Sequence, residues 1–330
     1  MIIAKLSKYA AVSALALGLS GVGAMAETLK MVSSWASNQA TYRVNVETFV
    51  AKVAEHTGGN TDINVVGPEA ISPLELVEPL QTGIIDMIFT HPAYHAGTTK
   101  IGMAADGIAV DPATWRESGI FDAFDAYYQT LGIKVIGIMP LGQRGFRFVT
   151  NQAVDGREHS FEGMKVRANA SYIAIIEKLG GSPVPLGGGE IYSSLQNGVI
   201  DAAPWSATGL VDFKLYEVAS HVLQPDFGSL SNWMFMNLDK WNSLDADTQA
   251  AITRAAAETE LYALEEMTRI ADMELGQLQE KGMAITNMNA NEAENISAWM
   301  SEAMWGLAMD TDADVAASIR KLAVDAGLSQ

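Results

Sequence analysis

Two stretches of this chain carry the same short pattern, and that repetition limits what it can fold into. Leu80-Gln81-Thr82-Gly83-Ile84-Ile85-Asp86 returns as Leu195-Gln196-Asn197-Gly198-Val199-Ile200-Asp201. A short helix pattern precedes each copy, over 73–81 and 191–197. Each copy also opens an apolar strand that closes on proline and an aromatic: His91-Pro92-Ala93-Tyr94 in the first, Pro204-Trp205 in the second. Gly83 and Gly198 each suit a helix end in the left-handed conformation. Asp86 and Asp201 read as structural residues at equivalent turn or strand-start positions. Two related α/β units in one chain point to two lobes, and the cleft between lobes is a preferred ligand site.

The surroundings of the second copy extend the pattern. Gly163-Met164-Lys165-Val166-Arg167-Ala168-Asn169-Ala170 reads as a short strand, 171–179 as an amphipathic helix and 180–190 as a Gly/Pro-rich turn. The helix over 191–197 and the apolar run over 199–203 follow. Strand–helix–strand–helix–strand is the grammar of an open, mostly parallel sheet. Such sheets bind ligands beyond the carboxyl ends of their strands, which is where Asn169 and Trp205 fall. Arg167 supplies an always-charged fork of five donors, suited to gripping a carboxylate with two bonds. Its alternative is a structural ion pair.

The order Gly163-x-Lys165-x-Arg167, then Glu190-Ile191-Tyr192, Leu195-Gln196, Gly198 and Ile200-Asp201 resembles the periplasmic solute-binding subunit of TRAP transporters, the DctP type. The likeness runs over nearly the whole chain beyond its first residues. It implies an α/β, two-lobed periplasmic-binding-protein-like fold with a long helix spanning both lobes. It implies capture of a small organic acid for a secondary transporter driven by an ion gradient, with one small and one large integral membrane subunit as partners. A Gly-x-Arg segment followed by Thr-Asn carries a second basic contact in that family, and Gly145-Phe146-Arg147 with Thr150-Asn151 matches it; a surface arginine on a strand is the other reading of Arg147. Some members for keto acids hold a bridging metal through a Glu-Trp pair. Here Pro204 replaces the glutamate and offers no side-chain ligand, so no metal and no cofactor are assigned. Trp205 presents a flat apolar face, which favours a carboxylate with an apolar or aromatic body.

The remaining chain supplies the other expectations. A strand closes on Trp35, a helix runs over 42–55, a strand over 63–66, a single helical connection over 115–131 and a strand over 134–139. A strand at 145–151 crosses to the second lobe. Residues 209–219 read as a helix and 229–237 as a strand containing Trp233 and Met236. A helix over 246–281 carries Ala257, Leu261, Leu264, Ala271, Leu275 and Leu278 as its buried face. A strand over 284–288 and helices over 292–309 and 313–326 finish the chain. Lobe I is expected over 27–145, with segments from about 205–245 and the C-terminal region returning to it. The core of lobe II is expected over 146–204, the spanning helix over 246–281, and a strand and helices packing on the lobes over 282–330. Trp35, His91, Tyr94 and Trp233 complete the ligand-binding candidates alongside Arg167, Arg147, Trp205 and Asn169.

Composition narrows the function. Lys5 and Lys8 precede an apolar run ending in Ala24-Met25-Ala26, the form of a secretory signal peptide over 1–26, so a periplasmic location is expected. The run is too short to serve comfortably as a membrane anchor, and the mature chain is not expected to insert. No cysteine is present, which removes disulfides, thiolate metal sites and cysteine nucleophiles. The net charge of −18 becomes −20 once the two leader lysines are gone, and so acidic a chain is a poor partner for nucleic acid. No nucleophile elbow, zinc-protease or phosphate-loop motif appears, so no catalytic residue is assigned. Gly187-Gly188-Gly189 before a helix could seat an anion or form a plain turn. A ligand-binding protein feeding a sensory system, and a secreted α/β enzyme acting on an organic acid, are the alternative functions.

Overall fold

The computed structural model describes residues 27–329, and the expected signal peptide over 1–26 lies outside the described residues. The strands are β1 (Glu27–Ser33), β2 (Thr61–Val66), β3 (Met87–Thr90), β4 (Ile133–Pro140), β5 (Phe146–Thr150), β6 (Lys165–Ala168), β7 (Ser182–Pro185), β8 (Ala202–Ser206), β9 (His221–Phe227), β10 (Ser231–Asn237) and β11 (Ala284–Asn287). They form a five-stranded sheet in the order β2-β1-β3-β10-β4 and a six-stranded sheet in the order β11-β9-β5-β8-β6-β7. In the first sheet β1, β2 and β3 run parallel, and β10 lies antiparallel between β3 and β4. In the second, β6 is parallel to β7 and β8, while β5 runs antiparallel to β8 and β9.

The internal repeat is a structural one. The Asp86 N–H donates to the Lys30 carbonyl at 3.0 Å, and its carboxylate accepts the Lys30 N–H at 2.8 Å. Asp201 does the same with Lys165, at 2.7 and 2.8 Å. Each aspartate thereby ties the entry of its strand to the neighbouring parallel strand. Gly83 and Gly198 have φ of 72° and 69°, the left-handed values a helix stop needs.

The chain crosses between sheets from β4 to β5 and returns from β9 to β10. The two crossings run side by side: the Leu141 N–H donates to the Leu230 carbonyl at 2.9 Å. A Cβ on Gly145, whose φ is 58°, would lie 2.1 Å from the Gly228 carbonyl oxygen. No side chain fits there, so this close approach requires glycine.

A 35-residue helix, Ala246–Glu280, braces both sheets; it is about 53 Å long at 1.5 Å per residue. Asp245 caps it by accepting the Thr248 N–H. Ile252, Ala255 and Ala256 enter the core against β1 and β3, Ala263 and Met267 a core with Phe148 and Val166, and Leu278 a third with Val149 and Val222. Its buried face differs from the expected one: Leu261 is 54% exposed, and Thr259, Glu260 and Glu274 are buried. Counting apolar residues misphases the stripe because polar side chains occupy part of it. Glu260 receives Arg116 at 2.6 and 2.9 Å and the Ile138 N–H at 2.8 Å. Glu274 receives the Gly209 and Val211 N–H groups at 2.8 and 2.9 Å.

Another departure adjoins that contact. Residues 209–219 form turns with a single short 3-10 helix, Leu215–Glu217, and the Gly209 and Val211 N–H groups at their start go to Glu274. The expected helix over 115–131 is two, Pro112–Glu117 and Ile120–Gln129, broken at Gly119. Part of the expected turn over 180–190 is the edge strand β7, where Pro183 and Pro185 are tolerated because an outer edge needs no N–H. β9 pairs in the second sheet, so of 205–245 the strand that returns to the first sheet is β10.

Burial raises the Glu274 carboxyl from its ordinary 4.5 to about 7. Between those values the folded chain keeps a proton that the unfolded chain releases, so this group's contribution to stability falls as pH rises. Relative to Glu274→Gln, the wild type is expected to lose up to about 3 kcal/mol between pH 4.5 and pH 8. Urea melts of both proteins across that range measure it; a gap independent of pH would contradict the assignment.

Candidate functional site

The carboxyl ends of β1, β3, β6 and β8 converge between the two sheets, as parallel sheets direct. There they enclose a chamber of about 40 Å³ lined by Trp35, His91, Tyr94, Arg167, Asn169, Tyr172, Trp205, Ser206 and Asn232, among others. Trp35, Tyr94, Arg167, Asn169 and Trp205 also line an adjoining cleft of about 710 Å³. Elsewhere between the lobes the Ala40 N–H of the first donates to Asp212 of the second at 2.8 Å.

Arg167 dominates the electrostatics. Its side chain is 1% exposed. Its Nε donates to the Leu186 carbonyl at 3.0 Å, its Nη1 has no hydrogen-bond partner, and it forms no ion pair among the described residues. The guanidinium carbon lies 5.5 Å from the ring centres of both Tyr172 and Trp205, so aromatic faces hold it in place. Trp205 is itself fixed: Phe213 packs at 4.8 Å between ring centres, and a Cβ on Gly188 would come within 2.6 Å of the indole. Burial raises the Tyr94 and Tyr172 hydroxyls above their usual range, more than Arg167 lowers them. Both phenols stay neutral.

The other candidates divide. Trp35 stacks obliquely on Phe89 at 5.1 Å and forms a chamber wall. The Asn169 amide oxygen accepts the Ser171 N–H at 2.9 Å. His91 faces the chamber but has no ring nitrogen to spare. Its Nδ1 accepts the Ala93 N–H at 3.1 Å, which leaves the proton on Nε2, donated to Asp106 at 2.9 Å. His95 points away, bonded to the Tyr128 hydroxyl at 3.0 Å, and burial lowers it to about 3.

Two candidates are corrected by their placement. Arg147 lines neither the chamber nor the cleft; it donates to both Asp226 carboxylate oxygens, at 2.7 and 2.5 Å, and to the Ala207 carbonyl at 3.2 Å. Trp233 is fully buried among Phe124, Tyr128 and Phe235. Strand alternation turns its neighbour Asn232 to the chamber instead. Asn232, Tyr172 and Ser206 were missed in the sequence, although an asparagine opening the apolar run Trp233-Met234-Phe235-Met236 is itself a signal. The Gly187 N–H is taken by Glu190 at 2.9 Å, so the triple glycine is a capped turn. Among the described residues no cluster of three or more His, Asp or Glu is placed to hold a metal ion.

A family model described as "Bacterial extracellular solute-binding protein, family 7" matches residues 31–305. A solute-binding protein of Roseobacter denitrificans is 24% identical over 293 residues, covering 86% of this chain and 89% of that protein. Among solved structures, a TRAP periplasmic solute-binding protein from Rhodoferax ferrireducens with bound malonate superposes with a TM-score of 0.78 at 18% identity, covering 90% of this chain and 98% of that one. A second, from Desulfovibrio salexigens with bound orotic acid, gives 0.78 at 20% identity over 91% and 98%.

The two buried arginines should respond oppositely to substitution. Arg147→Met strands Asp226 and is expected to cost about 3–5 kcal/mol. Arg167→Met removes an uncompensated charge and is expected to leave ligand-free stability unchanged or higher. Denaturant melts of stripped protein decide it; equal losses would contradict the contrast.

Proposed function

The chain belongs to the family 7 bacterial extracellular solute-binding proteins, and we propose that it captures a small organic acid between its lobes for delivery to a TRAP-type secondary transporter. One observation carries the reading: Arg167 is held out of water with an open donor and no counter-ion. An isolated buried charge is costly, and a carboxylate restores the balance with two charge-assisted bonds. The relatives solved with malonate and with orotic acid carry carboxylate ligands.

The wall residues set the body of the ligand. Trp35 and Tyr94 come from the first lobe and Trp205 from the second, so an apolar or aromatic body would lie between flat faces. A ligand that touches both lobes favours the closed state by its differential affinity. Closure would bring Asp212 to Ala40, as here. In this reading the protein is a receptor and not an enzyme. It works in the periplasm, where its family acts, and hands its ligand to the small and large membrane subunits. No helix among the described residues is long and apolar enough to cross a membrane.

Refolded, ligand-free protein should gain about 2.7 kcal/mol with an acid present at roughly 100 times its Kd, seen as a raised melting temperature. Neutral amide or alcohol analogues of that acid should give no shift. Arg167→Ala is expected to weaken binding by about 2–5 kcal/mol, or roughly 30- to 5,000-fold. Unchanged affinity in that variant, or equal binding of the neutral analogues, would overturn the carboxylate reading.

A further inference from the structure

Asn232 is the one chamber-lining side chain with both polar atoms buried and unpartnered: its residue is 1% exposed, and neither Oδ1 nor Nδ2 has a hydrogen-bond partner. It shares the chamber with Arg167. Buried polar groups are normally paired, and each exception calls for an explanation. The neighbouring groups do not supply one. Both His91 nitrogens are taken, and Ser206 is bonded to Thr208 at 2.9 Å. Asp106, the nearby acid, is occupied by His91 and by the Ser231 N–H.

From this geometry we infer that the ligand is a 2-hydroxy carboxylate, its carboxylate on Arg167 and its hydroxyl on the Asn232 amide. The inference rests on the organic-acid reading above and sharpens it. A carboxylate can only accept hydrogen bonds, so by itself it leaves the amide oxygen bare. Whichever way the amide is turned, one end donates and the other accepts. A hydroxyl answers both ends through one atom. A 2-oxo group accepts only, and an alkyl group does neither. A 2-ammonium group would bring a second cation beside an already uncompensated guanidinium. A chamber of about 40 Å³ suits the head of such a ligand, with its body reaching past Trp205 into the larger cleft.

The test uses acids that share a skeleton: 3-phenyllactate against phenylpyruvate and 3-phenylpropanoate, and 2-hydroxyisovalerate against 2-oxoisovalerate and isovalerate. Calorimetric titration of ligand-free, full-length mature protein reads each Kd. A site built to bond a hydroxyl rejects analogues that lack it, so the hydroxy acid of a binding set should be tighter by at least about tenfold. Asn232→Leu keeps the side-chain size and removes both polar atoms. It should weaken the hydroxy acid and leave the alkyl acid unchanged, closing the gap to within roughly threefold. Should that variant not fold, Asn232→Ala makes the same comparison. Equal binding of all three acids, or a preference that survives in the variant, would overturn the amide's role and leave the carboxylate reading standing. Failure of every acid to bind folded wild-type protein would overturn both.

Discussion

A guanidinium buried without a counter-ion is the constraint around which the site is arranged. Arg167 cannot shed its charge, because arginine stays protonated at any pH a protein meets. The chain therefore has to hold a cation in a dry place, and it does so with the Leu186 carbonyl, two aromatic faces and rigid strands. Pairing it internally would be easy in so acidic a chain. Instead no carboxylate among the described residues pairs with Arg167, Asp106 being engaged by His91 and Ser231, and the local positive charge stays open for an anion. In an acidic protein that must bind an acid, attraction has to come from such a local site, since the overall field repels the ligand.

The framework serves that site by allowing two lobes to meet while keeping each one stiff. The long helix carries a buried glutamate for each lobe: Glu260 takes Arg116 and Ile138 in the first, Glu274 takes Gly209 and Val211 in the second. Close to the second attachment Asp212 accepts the Ala40 N–H, a direct bond between the lobes. The crossings at 141–145 and 228–230 pass closely enough to exclude a Cβ at Gly145.

Much of this was legible in the residues. The repeated Leu-Gln-x-Gly pattern pointed to two equivalent units with Asp86 and Asp201 at equivalent positions, because turn and strand-entry chemistry is local; the bonds the two aspartates share came with the fold. The 35-residue helix was legible from its cap and length. Its phase was not, since Thr259, Glu260 and Glu274 occupy the buried stripe and only their distant partners make that tolerable.

The sequence by itself determined the α/β units, their duplication and the presence of arginines on strands that feed a cleft. Only the tertiary structure decided which arginine is open. Arg147 and Arg167 are both 1% exposed and both sit on strands of one sheet. Asp226, far along the chain, arrives to neutralise one of them, and among the described residues no carboxylate arrives for the other. Strand alternation likewise sent Trp233 to the core and Asn232 to the chamber. Composition and spacing report which chemical groups a chain possesses. Whether a charge is spent or available depends on partners that only folding brings within reach.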